Sequence, residues 1–255
     1  MSDLSAFSLA GKRILVTGAN TGIGQGIAVS IARAGGAVVG VGRSAMDETA
    51  EKIAAAGGRF EAVRWDLGDD AAAQAMLDRV WDDTGPLDGL VNNAGIIRRA
   101  DAVDLTEADW DDVIGVNLKT VFFLSQSFAR RVLADPGRRG KIVNIASVLS
   151  FQGGIRVASY TASKHGVLGI TRLLACEWAA KGINVNGIAP GYIETNNTEA
   201  LRADPDRSAS ILARIPAGRW GAPEDIGDAA VFLLAPASNY MHGAVMPVDG
   251  GWLAR

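Results

Sequence analysis

Hydrophobic residues along this chain form two kinds of pattern that alternate from one end to the other. Short, nearly continuous apolar runs rich in valine and isoleucine indicate buried strands, and apolar positions three or four residues apart indicate helices. The predicted strands are 13–17, 37–42, 59–67, 87–93, 141–147, 182–192 and 243–251, and the predicted helices are 23–34, 46–58, 70–83, 107–133, 159–181 and 224–235. This alternation of strand and helix predicts an α/β protein with a doubly wound parallel sheet that helices cover on both faces.

The alternation stops between residues 193 and 222, where the chain becomes polar and contains Pro205 and Pro216. Because proline interrupts regular elements, we expect this segment to make a helical excursion over the edge of the sheet. There is no second hydrophobic unit and no long linker in the 255 residues, a length that α/β folds often use as one domain. We therefore predict a single domain over residues 1–255.

Composition narrows the classes of function. Apolar residues make up 48% of the chain, which is enough for a full core, and the formal charge of −3 gives no electrostatic reason to expect nucleic acid. The N-terminus lacks the layout of a signal peptide, and the chain contains no apolar run long enough to span a membrane. We therefore expect a cytoplasmic protein with no membrane partner.

Residues that form disulfides or bind metals are scarce. The single cysteine, Cys176, allows no internal disulfide, which fits a reducing cytoplasm, and it is expected to pack within its apolar helix. The two histidines, His165 and His242, have neither a carboxylate nor a second histidine at metal-like spacing. We predict no metal site.

Three glycines stand where the first strand turns into the first helix. Gly18, Gly22 and Gly24 have the spacing G-x-x-x-G-x-G. Glycines at such a turn let the backbone approach a pyrophosphate, whose charge the helix N-terminus stabilises. A tight strand–helix junction explains these glycines about as well. A nucleotide-triphosphatase loop is disfavoured, because no Gly-Lys-Ser/Thr follows.

Tyr160 and Lys164 lie four residues apart in the predicted helix 159–181, so their side chains share one face. A neighbouring cation favours the phenolate and lowers the pKa of a tyrosine. Ser147 ends an apolar strand, at the edge where open α/β sheets place their ligands. A hydroxyl donor, a phenol and a cation that converge there suit hydride transfer to or from a carbonyl. Tyrosine and lysine at this spacing also occur by chance on many helices, so the pair is informative only together with other motifs.

The combined motifs resemble those of the short-chain dehydrogenase/reductase family. They are TGANTGIG at 17–24, NNAG at 92–95, Asn117, Ser147, Tyr160-x-x-x-Lys164 and PGYIET at 190–195. The resemblance covers essentially the whole chain, and it implies a Rossmann-type sheet of about seven strands, an NAD(P)-dependent oxidoreductase and usually a homotetramer. A non-catalytic relative that binds the dinucleotide as a sensor is the alternative from another class. A sensor has no need of the acid/base set that this chain retains.

Carried over residue by residue, the resemblance implies roles for the matching positions. Tyr160 would be the catalytic acid/base, and Ser147 would orient the substrate carbonyl. Lys164 would hold the nicotinamide ribose and lower the pKa of the tyrosine, and Asn117 would hold a water molecule in a proton relay. Asn93 and Asn117 would serve equally well to satisfy backbone groups where strands and helices end. The implied cofactor-binding positions are Gly18, Asn20, Thr21, Gly22, Ile23, Gly24, Arg43, Asp66, Leu67, Asn93, Ala94, Gly95, Tyr160, Lys164, Pro190, Gly191, Ile193 and Thr195.

The choice between NAD and NADP depends on the end of the second strand. An acidic residue there binds the ribose 2′-hydroxyl, whereas an arginine favours a 2′-phosphate. Gly42 takes the place of the acid and Arg43 follows it, which favours NADP. Thr21 stands where many NADP-preferring relatives carry a basic residue, which is evidence against NADP. We expect NAD(H), with NADP(H) as the alternative, because relatives in the most similar subfamily generally use NAD.

That subfamily consists of bacterial dehydrogenases that act on 2-dehydro-3-deoxy-D-gluconate or 2-deoxy-D-gluconate in hexuronate breakdown. The chain resembles it in IIRRADA, SFQGGIRVASYTASK, TNNTEALRAD, RIPAGRWG and VDGGWLAR, and departs from it mainly around 42–58. The resemblance implies a deoxy or keto sugar acid as substrate. Reductases of the unsaturated uronate released from alginate (4-deoxy-L-erythro-5-hexoseulose uronate) and generic ketone or ketoacyl reductases are the alternatives.

An acidic sugar calls for a cation, and arginine holds a carboxylate with two hydrogen bonds. Five arginines fall in loops that the fold directs to the strand ends, at positions 98, 99, 156, 202 and 219. Arg156 lies between Ser147 and Tyr160 in the sequence and is expected to bind the carboxylate, whereas Arg202 fits a solvated surface equally well. The candidate substrate residues are Ser147, Gln152, Arg156, Tyr160, Arg99, Asn197, Arg219 and Trp220.

Overall fold

The computed structural model describes residues 4–68 and 70–255, and within them seven parallel strands form one sheet. The strands are β1 (Arg13–Thr17), β2 (Ala37–Gly42), β3 (Arg59–Arg64), β4 (Gly89–Asn92), β5 (Gly140–Ile145), β6 (Ile183–Pro190) and β7 (Val245–Val248). Their order is β3-β2-β1-β4-β5-β6-β7. Strand order reverses at β1, which pairs with both β2 and β4. The predicted doubly wound α/β fold is confirmed, and its carboxyl edge at β1 and β4 is where such sheets bind ligands.

Helices cover both faces of the sheet. They are α1 (Gly22–Arg33), α2 (Asp47–Ala55), α3 (Asp70–Thr84), α4 (Glu107–Ile114), α5 (Thr120–Leu133), α6 (Ala158–Trp178), α7 (Glu199–Ala203), α8 (Pro205–Leu212) and α9 (Pro223–Leu234). Fully buried side chains such as Ile27 of α1 belong to the core cluster on one face, and Leu77 of α3 and Phe128 of α5 belong to the other. Cys176 was expected to be packed, but it is exposed because the sheet covers the opposite side of α6. No helix in the described parts of the chain is long and apolar enough to cross a membrane.

Three elements differ from the sequence prediction. The predicted helix 107–133 contains a π-helical turn over Gly115–Lys119 that separates α4 from α5. The predicted strand 59–67 ends at Arg64, because β3 is the edge strand and lies mostly exposed. The last strand is shorter than the predicted 243–251, because Gly243 and Gly250 adopt positive φ angles of 74° and 63° that a strand does not allow.

The segment 193–222 forms the expected excursion, with a 3₁₀ turn, α7 and α8. Its base is closed by a parallel bridge between Ile193 and Gly221. Beneath it lies a separate apolar cluster that includes Val148, Trp220 and Trp252. The excursion therefore stands on its own small core beside the carboxyl edge of the sheet, where it helps to wall the site described next.

Candidate active site

The carboxyl ends of the strands open into a cleft of about 1160 Å³. Its walls include all of the residues predicted to bind a cofactor, and these lie at the ends of β1, β2, β3, β4, β5 and β6 or in the segments that follow them. The predicted residues that line it are Gly18, Asn20, Thr21, Gly22, Ile23, Gly24, Arg43, Asp66, Leu67, Asn93, Ala94, Gly95, Ser147, Tyr160, Lys164, Pro190, Gly191, Ile193, Thr195 and Asn197. The sheet therefore brings together side chains that are up to about 180 residues apart in sequence.

The glycine turn is built for close backbone approach. Gly18 and Gly22 have φ angles of +67° and +56°, a region that other residues enter at a cost. A Cβ at Gly24 would collide with the carbonyl oxygen of Gly18, so α1 could not approach β1 this closely with any side chain there. Asn93 fixes the turn by donating hydrogen bonds from Nδ2 to the carbonyl oxygens of Thr17, at 2.9 Å, and Gly18, at 3.3 Å. The glycines permit the tight junction, and they also line the cleft at the N-terminus of α1.

At the far end of the cleft, two arginines lie beside Gly42. Arg43 follows β2, and Arg64 ends β3 directly opposite Gly42 in the strand register. The Nε of Arg64 donates to the carbonyl oxygen of Arg43 at 2.9 Å. Neither guanidinium forms an ion pair with a carboxylate in the described parts of the chain. The sequence prediction did not include Arg64, although the strand register places it beside Gly42, where an acidic residue would favour NAD.

Ser147 begins a 3₁₀ turn over Val148–Ser150 immediately after β5. Its Oγ accepts a hydrogen bond from the backbone N–H of Leu149 at 3.1 Å. That bond occupies an acceptor position and leaves the hydroxyl proton free to point elsewhere. Ser147 and Tyr160 both line the cleft, and the Ser147 hydroxyl lies near enough to the Tyr160 phenol to lower its pKa.

Lys164 is buried, with 5% of its surface exposed, and its Nζ donates to the carbonyl oxygen of Ile145 at 2.6 Å. The Nζ lies 5.6 Å from the centre of the Tyr160 ring. Burial lowers the pKa of Lys164 to about 8. Burial raises the pKa of Tyr160, and the Ser147 hydrogen bond and the charge of Arg99 oppose that rise. We expected Lys164 to lower the phenol pKa, but in the structure the opposing effects come from Ser147 and Arg99.

Asn117 lies in the π-helical turn and is fully buried. Its Oδ1 accepts from the N–H of Ile96 at 2.8 Å, and its Nδ2 donates to the carbonyl oxygen of Ile96 at 2.9 Å. Nδ2 also donates to Ser163 Oγ at 3.3 Å, and Ser163 in turn donates to the carbonyl oxygen of Tyr160 at 2.7 Å. The Asn117 side chain therefore satisfies backbone groups, which is one of the two roles predicted for it. It also connects to α6, the helix that carries Tyr160.

The structure separates the predicted substrate residues into two groups. Asn197 lines the cleft, and Arg99, which is not itself among the lining residues, donates from Nη2 to the Asn197 carbonyl oxygen at 3.2 Å. Gln152 and Arg156 are not among the residues that line the cleft. Arg156 has a φ of +60°, and its exposed side chain forms an ion pair with Asp101 at 3.2 Å. The loop thus turns Arg156 outward rather than towards the cleft.

Arg219 and Trp220 also lie elsewhere, which corrects the prediction that they line the substrate site. Arg219 forms a bidentate ion pair with Asp225, at 2.7 and 3.0 Å, at the start of α9. The Asp225 carboxylate also accepts from the N–H of Ala222, which keeps the pair in place. Trp220 is buried against Tyr192, with ring centres 5.6 Å apart, so its ring packs the base of the excursion. The sequence could not distinguish this packing from stacking on a sugar.

Comparison with known proteins identifies the family. A family model described as enoyl-(acyl carrier protein) reductase matches residues 18–253. The chain is 57% identical over 252 residues to a 2-dehydro-3-deoxy-D-gluconate 5-dehydrogenase of Escherichia coli, covering 99% of each chain. The chain belongs to the short-chain dehydrogenase/reductase family. It is an oxidoreductase.

Solved structures of other short-chain dehydrogenases/reductases show the same fold with a nicotinamide cofactor. One from Agrobacterium tumefaciens, described as a proposed 2-deoxy-D-gluconate 3-dehydrogenase with bound NADP, is 63% identical with a TM-score of 0.93, covering 98% of this chain and 99% of that one. Another from Beutenbergia cavernae, described as a proposed NAD(P)-dependent gluconate 5-dehydrogenase with NADP at low occupancy, is 52% identical with a TM-score of 0.94, covering 98% and 100%. The glycine turn, the open α1 N-terminus and the unpaired arginines of this chain fit such a dinucleotide.

Among residues 4–68 and 70–255 there is no group of three or more histidine, cysteine, aspartate or glutamate side chains that could hold a metal ion. The Nε2 of His242 accepts a hydrogen bond from Asn184 Nδ2 at 3.3 Å. Its pKa is lowered by burial and by the nearby charges of Lys141 and Arg139.

Two lysines, the buried Lys164 and the half-buried Lys141, predict how the free energy of unfolding depends on pH. Burial lowers the pKa of Lys141, like that of Lys164, to about 8. Lysine in an unfolded chain titrates near ~10.4, so between these values the unfolded chain binds more protons and the free energy of unfolding increases with pH. We expect the melting temperature of the cofactor-free protein to rise by about 4–8 °C from pH 7 to pH 9. A double variant, Lys141→Met with Lys164→Met, should lose this rise. If it keeps the full rise, the lysines are not its cause.

Proposed function

We propose that this short-chain dehydrogenase/reductase interconverts a hydroxyl and a ketone on a deoxy or keto sugar acid of hexuronate breakdown, with Tyr160 as acid/base. The observation that carries the proposal is the convergence of Ser147, Tyr160 and Lys164 in the cleft that the glycine turn also lines. The full-length relatives named for gluconate-type sugar acids supply the substrate class. Their names favour it over an alginate-derived uronate or a carrier-bound ketoester.

The residues divide the chemistry between them. The nicotinamide cofactor, when bound, supplies or accepts the hydride at the substrate carbon. In the direction of reduction, the Ser147 hydroxyl donates a hydrogen bond to the substrate carbonyl oxygen, since its acceptor side is taken by the Leu149 N–H. The Tyr160 phenol gives its proton to that oxygen, and in oxidation it takes the proton back. The raised pKa of the buried phenol keeps it protonated and ready to act as an acid near neutral pH.

Lys164 and Asn117 support this proton transfer. We propose that Lys164 binds the ribose hydroxyls of the cofactor, because it lines the cleft from α6 and, among the described residues, its ammonium group donates only to the Ile145 carbonyl oxygen. With a pKa of about 8, this lysine can release and regain a proton near neutral pH. Asn117, which lies in the π-helical turn, would hold the first water molecule of the proton relay.

NADP(H) is the cofactor that the geometry supports best, in place of the NAD(H) favoured by sequence reasoning. Arg43, Ser44 and Arg64 surround the end of β2, and Gly42 presents no carboxylate that would repel a phosphate. Guanidinium groups bind phosphate with charge-assisted, often bidentate hydrogen bonds. Two solved relatives above 50% identity contain NADP.

Replacing Arg43 by alanine tests the cofactor proposal. A hydrogen bond to a charged group contributes roughly 1.5–3 kcal/mol, so we expect the Kd for NADPH to rise at least about 10-fold while that for NADH stays nearly unchanged. Both constants can be measured by fluorescence titration without substrate. Arg59→Ala is the matched control, since Arg59 is exposed at the opposite end of β3. Wild-type protein that binds NADH more tightly than NADPH would restore the original NAD prediction.

We propose that Arg99 binds the carboxylate of the substrate. This guanidinium lies close enough to Tyr160 to affect its pKa, and it forms no ion pair within the described residues. Arg98 lines the cleft but is paired with Asp109 and Asp112, and Arg219 is paired with Asp225. Arg99 is therefore the predicted arginine near the acid/base whose charge is not already neutralised.

A kinetic panel tests the substrate class. The purified protein should be assayed with NADPH and NADH against the C5 ketone of 2-dehydro-3-deoxy-D-gluconate, D-gluconate-type ketoacids and a neutral ketone of similar length. We expect kcat/KM for a sugar acid to exceed that for the neutral ketone by about 10²-fold, as two charge-assisted hydrogen bonds would give. Equal values for both substrates, or turnover of the neutral ketone alone, would overturn the assignment to sugar acids.

A homotetramer remains our proposal for the assembly. Apolar side chains are exposed on α4 and α6, at Trp110 and Leu173, and Cys176 lies exposed on α6 as well. Contact with further copies would cover these side chains.

The proposed single domain and cytoplasmic location rest on the sequence arguments given above.

A further inference from the structure

The hydroxyl of Ser150 joins the two elements that carry the acid/base residues. Ser150 ends the 3₁₀ turn after β5 and is 1% exposed. Its Oγ donates to the carbonyl oxygen of Lys164 on α6 at 2.6 Å and accepts from the backbone N–H of Ser147 at 3.3 Å. One buried hydroxyl therefore bridges the loop that holds Ser147 and the helix that holds Tyr160 and Lys164.

The Lys164 carbonyl does not need this bond to complete α6. Within a regular helix each interior carbonyl already accepts from the N–H four residues later, and a carbonyl oxygen has a second lone pair. The bond from Ser150 therefore adds a connection between α6 and the loop. On the other side of Ser147, the Lys164 Nζ is bonded to the Ile145 carbonyl oxygen. The segment 145–150 is thus fastened to Lys164 at two points that flank Ser147.

The position of Ser147 depends on the turn that Ser150 ends. The Ser147 Oγ is oriented by the N–H of Leu149, which belongs to that turn. When the turn moves relative to α6, the Ser147 hydroxyl moves relative to the Tyr160 phenol. Hydrogen bonds weaken steeply with distance and angle, so a displacement of a few tenths of an ångström changes the contact between the two hydroxyls.

We propose that Ser150 is a positioning residue, whose buried hydroxyl fixes the distance between Ser147 and the phenol of Tyr160. The proposal rests on the proposed function, in which Tyr160 is the acid/base and Ser147 its partner. It assigns to Ser150 no contact with substrate or cofactor, because Ser150 is not among the residues that line the cleft.

The test is a direct titration of Tyr160 in the cofactor-free protein. The chain contains three tyrosines, Tyr160, Tyr192 and Tyr240, so ¹³Cζ-tyrosine labelling gives three NMR signals, and Tyr160→Phe assigns one of them. In Ser150→Ala we expect the measured Tyr160 pKa to be higher by about 0.5 to 1, the effect of loosening one neutral hydrogen bond. The Tyr192 and Tyr240 signals should titrate as in the wild type.

Two further variants keep the result interpretable. Ser150→Cys nearly keeps the side-chain volume but replaces the hydroxyl by a thiol, which is a weak hydrogen-bond donor. It should therefore raise the Tyr160 pKa even if the alanine variant folds poorly. Ser30→Ala is the matched control, because Ser30 is equally buried and its Oγ joins α1 to α9 through Asp228 at 3.0 Å, away from the cleft. It should lower the melting temperature without moving the Tyr160 pKa. An unchanged Tyr160 pKa in both Ser150 variants would overturn the proposal.

Turnover provides a second readout that separates positioning from stability. With a working substrate, Ser150→Ala should lower kcat about 10-fold and leave the Kd for NADPH unchanged, because only the acid/base geometry is altered. The NMR titration uses no substrate. If the protein turns over no sugar acid, the proposed function fails, but the titration still tests the role of Ser150. If the Tyr160 pKa does not change in the Ser150 variants, the Ser150 proposal fails, but the wild-type turnover still supports the proposed function.

Discussion

Tyr160→Phe is expected to lose nearly all turnover while it binds the cofactor as the wild type does. The phenylalanine ring fills the same space on α6, but it has no proton to give to the substrate oxygen or to take from it. General acid/base groups contribute about 10²- to 10⁴-fold to the rate. Steady-state kcat and a fluorescence titration with NADPH measure the two effects separately.

Tyr240→Phe is the matched control for this substitution. It deletes the same hydroxyl from a side chain that is fully exposed, and it should leave both constants unchanged. If Tyr160→Phe retains more than about a tenth of the wild-type kcat, the phenol is not the acid/base. The proton would then have to come from Ser147 or from solvent.

Arg99→Ala is expected to raise KM for the sugar acid by about 10- to 150-fold, the effect of one lost hydrogen bond to a charged group. The guanidinium donates to the carbonyl oxygen of Asn197, a cleft residue, at 3.2 Å, its charge affects the pKa of Tyr160, and no carboxylate in the described residues forms an ion pair with it. A neutral ketone has no carboxylate to lose, so its KM should change little. KM for both substrates is the measurement.

Arg156→Ala serves as the control, since sequence reasoning gave the carboxylate contact to Arg156. Its side chain is 62% exposed and is paired with Asp101, so we expect nearly wild-type KM values for both substrates. A large rise in KM with Arg156→Ala and none with Arg99→Ala would return the contact to Arg156. That outcome would require the 151–156 loop to turn inward when substrate binds.

Strand positions were the part of the fold that the sequence determined best. β1 and β2 begin and end where predicted, because each is a short β-branched run bounded by glycine or a charged residue. The π-helical turn at Gly115–Lys119 could not be foreseen, since hydrophobic periodicity continues across it. The end of β7 had a visible signal in Gly250 and Gly251, which adopt positive φ angles.

The candidate site was predictable where residues lie at the ends of strands and less so in the loops. Ser147, Tyr160 and Lys164 converge because the β5 end and one face of α6 are fixed by the sheet. Arg156 and Arg219 were misjudged because ion pairs hold their side chains, with Asp101, which is far from Arg156 in sequence, and with Asp225 at the start of α9. Arg64 was missed, although counting along β2 and β3 from their first residues pairs it with Gly42.

Deuterium transfer tests the central claim most directly. The protein should be incubated with NADPH deuterated at both C4 positions and with the ketone that oxidation of 2-dehydro-3-deoxy-D-gluconate at C5 gives, and the sugar product analysed by mass spectrometry and NMR. We predict a product one mass unit heavier than the unlabelled alcohol, with the deuterium on the carbon that now carries the new hydroxyl. The absence of any reduced sugar acid, or a reduced product without deuterium, would contradict hydride transfer between a nicotinamide cofactor and a sugar acid in this cleft.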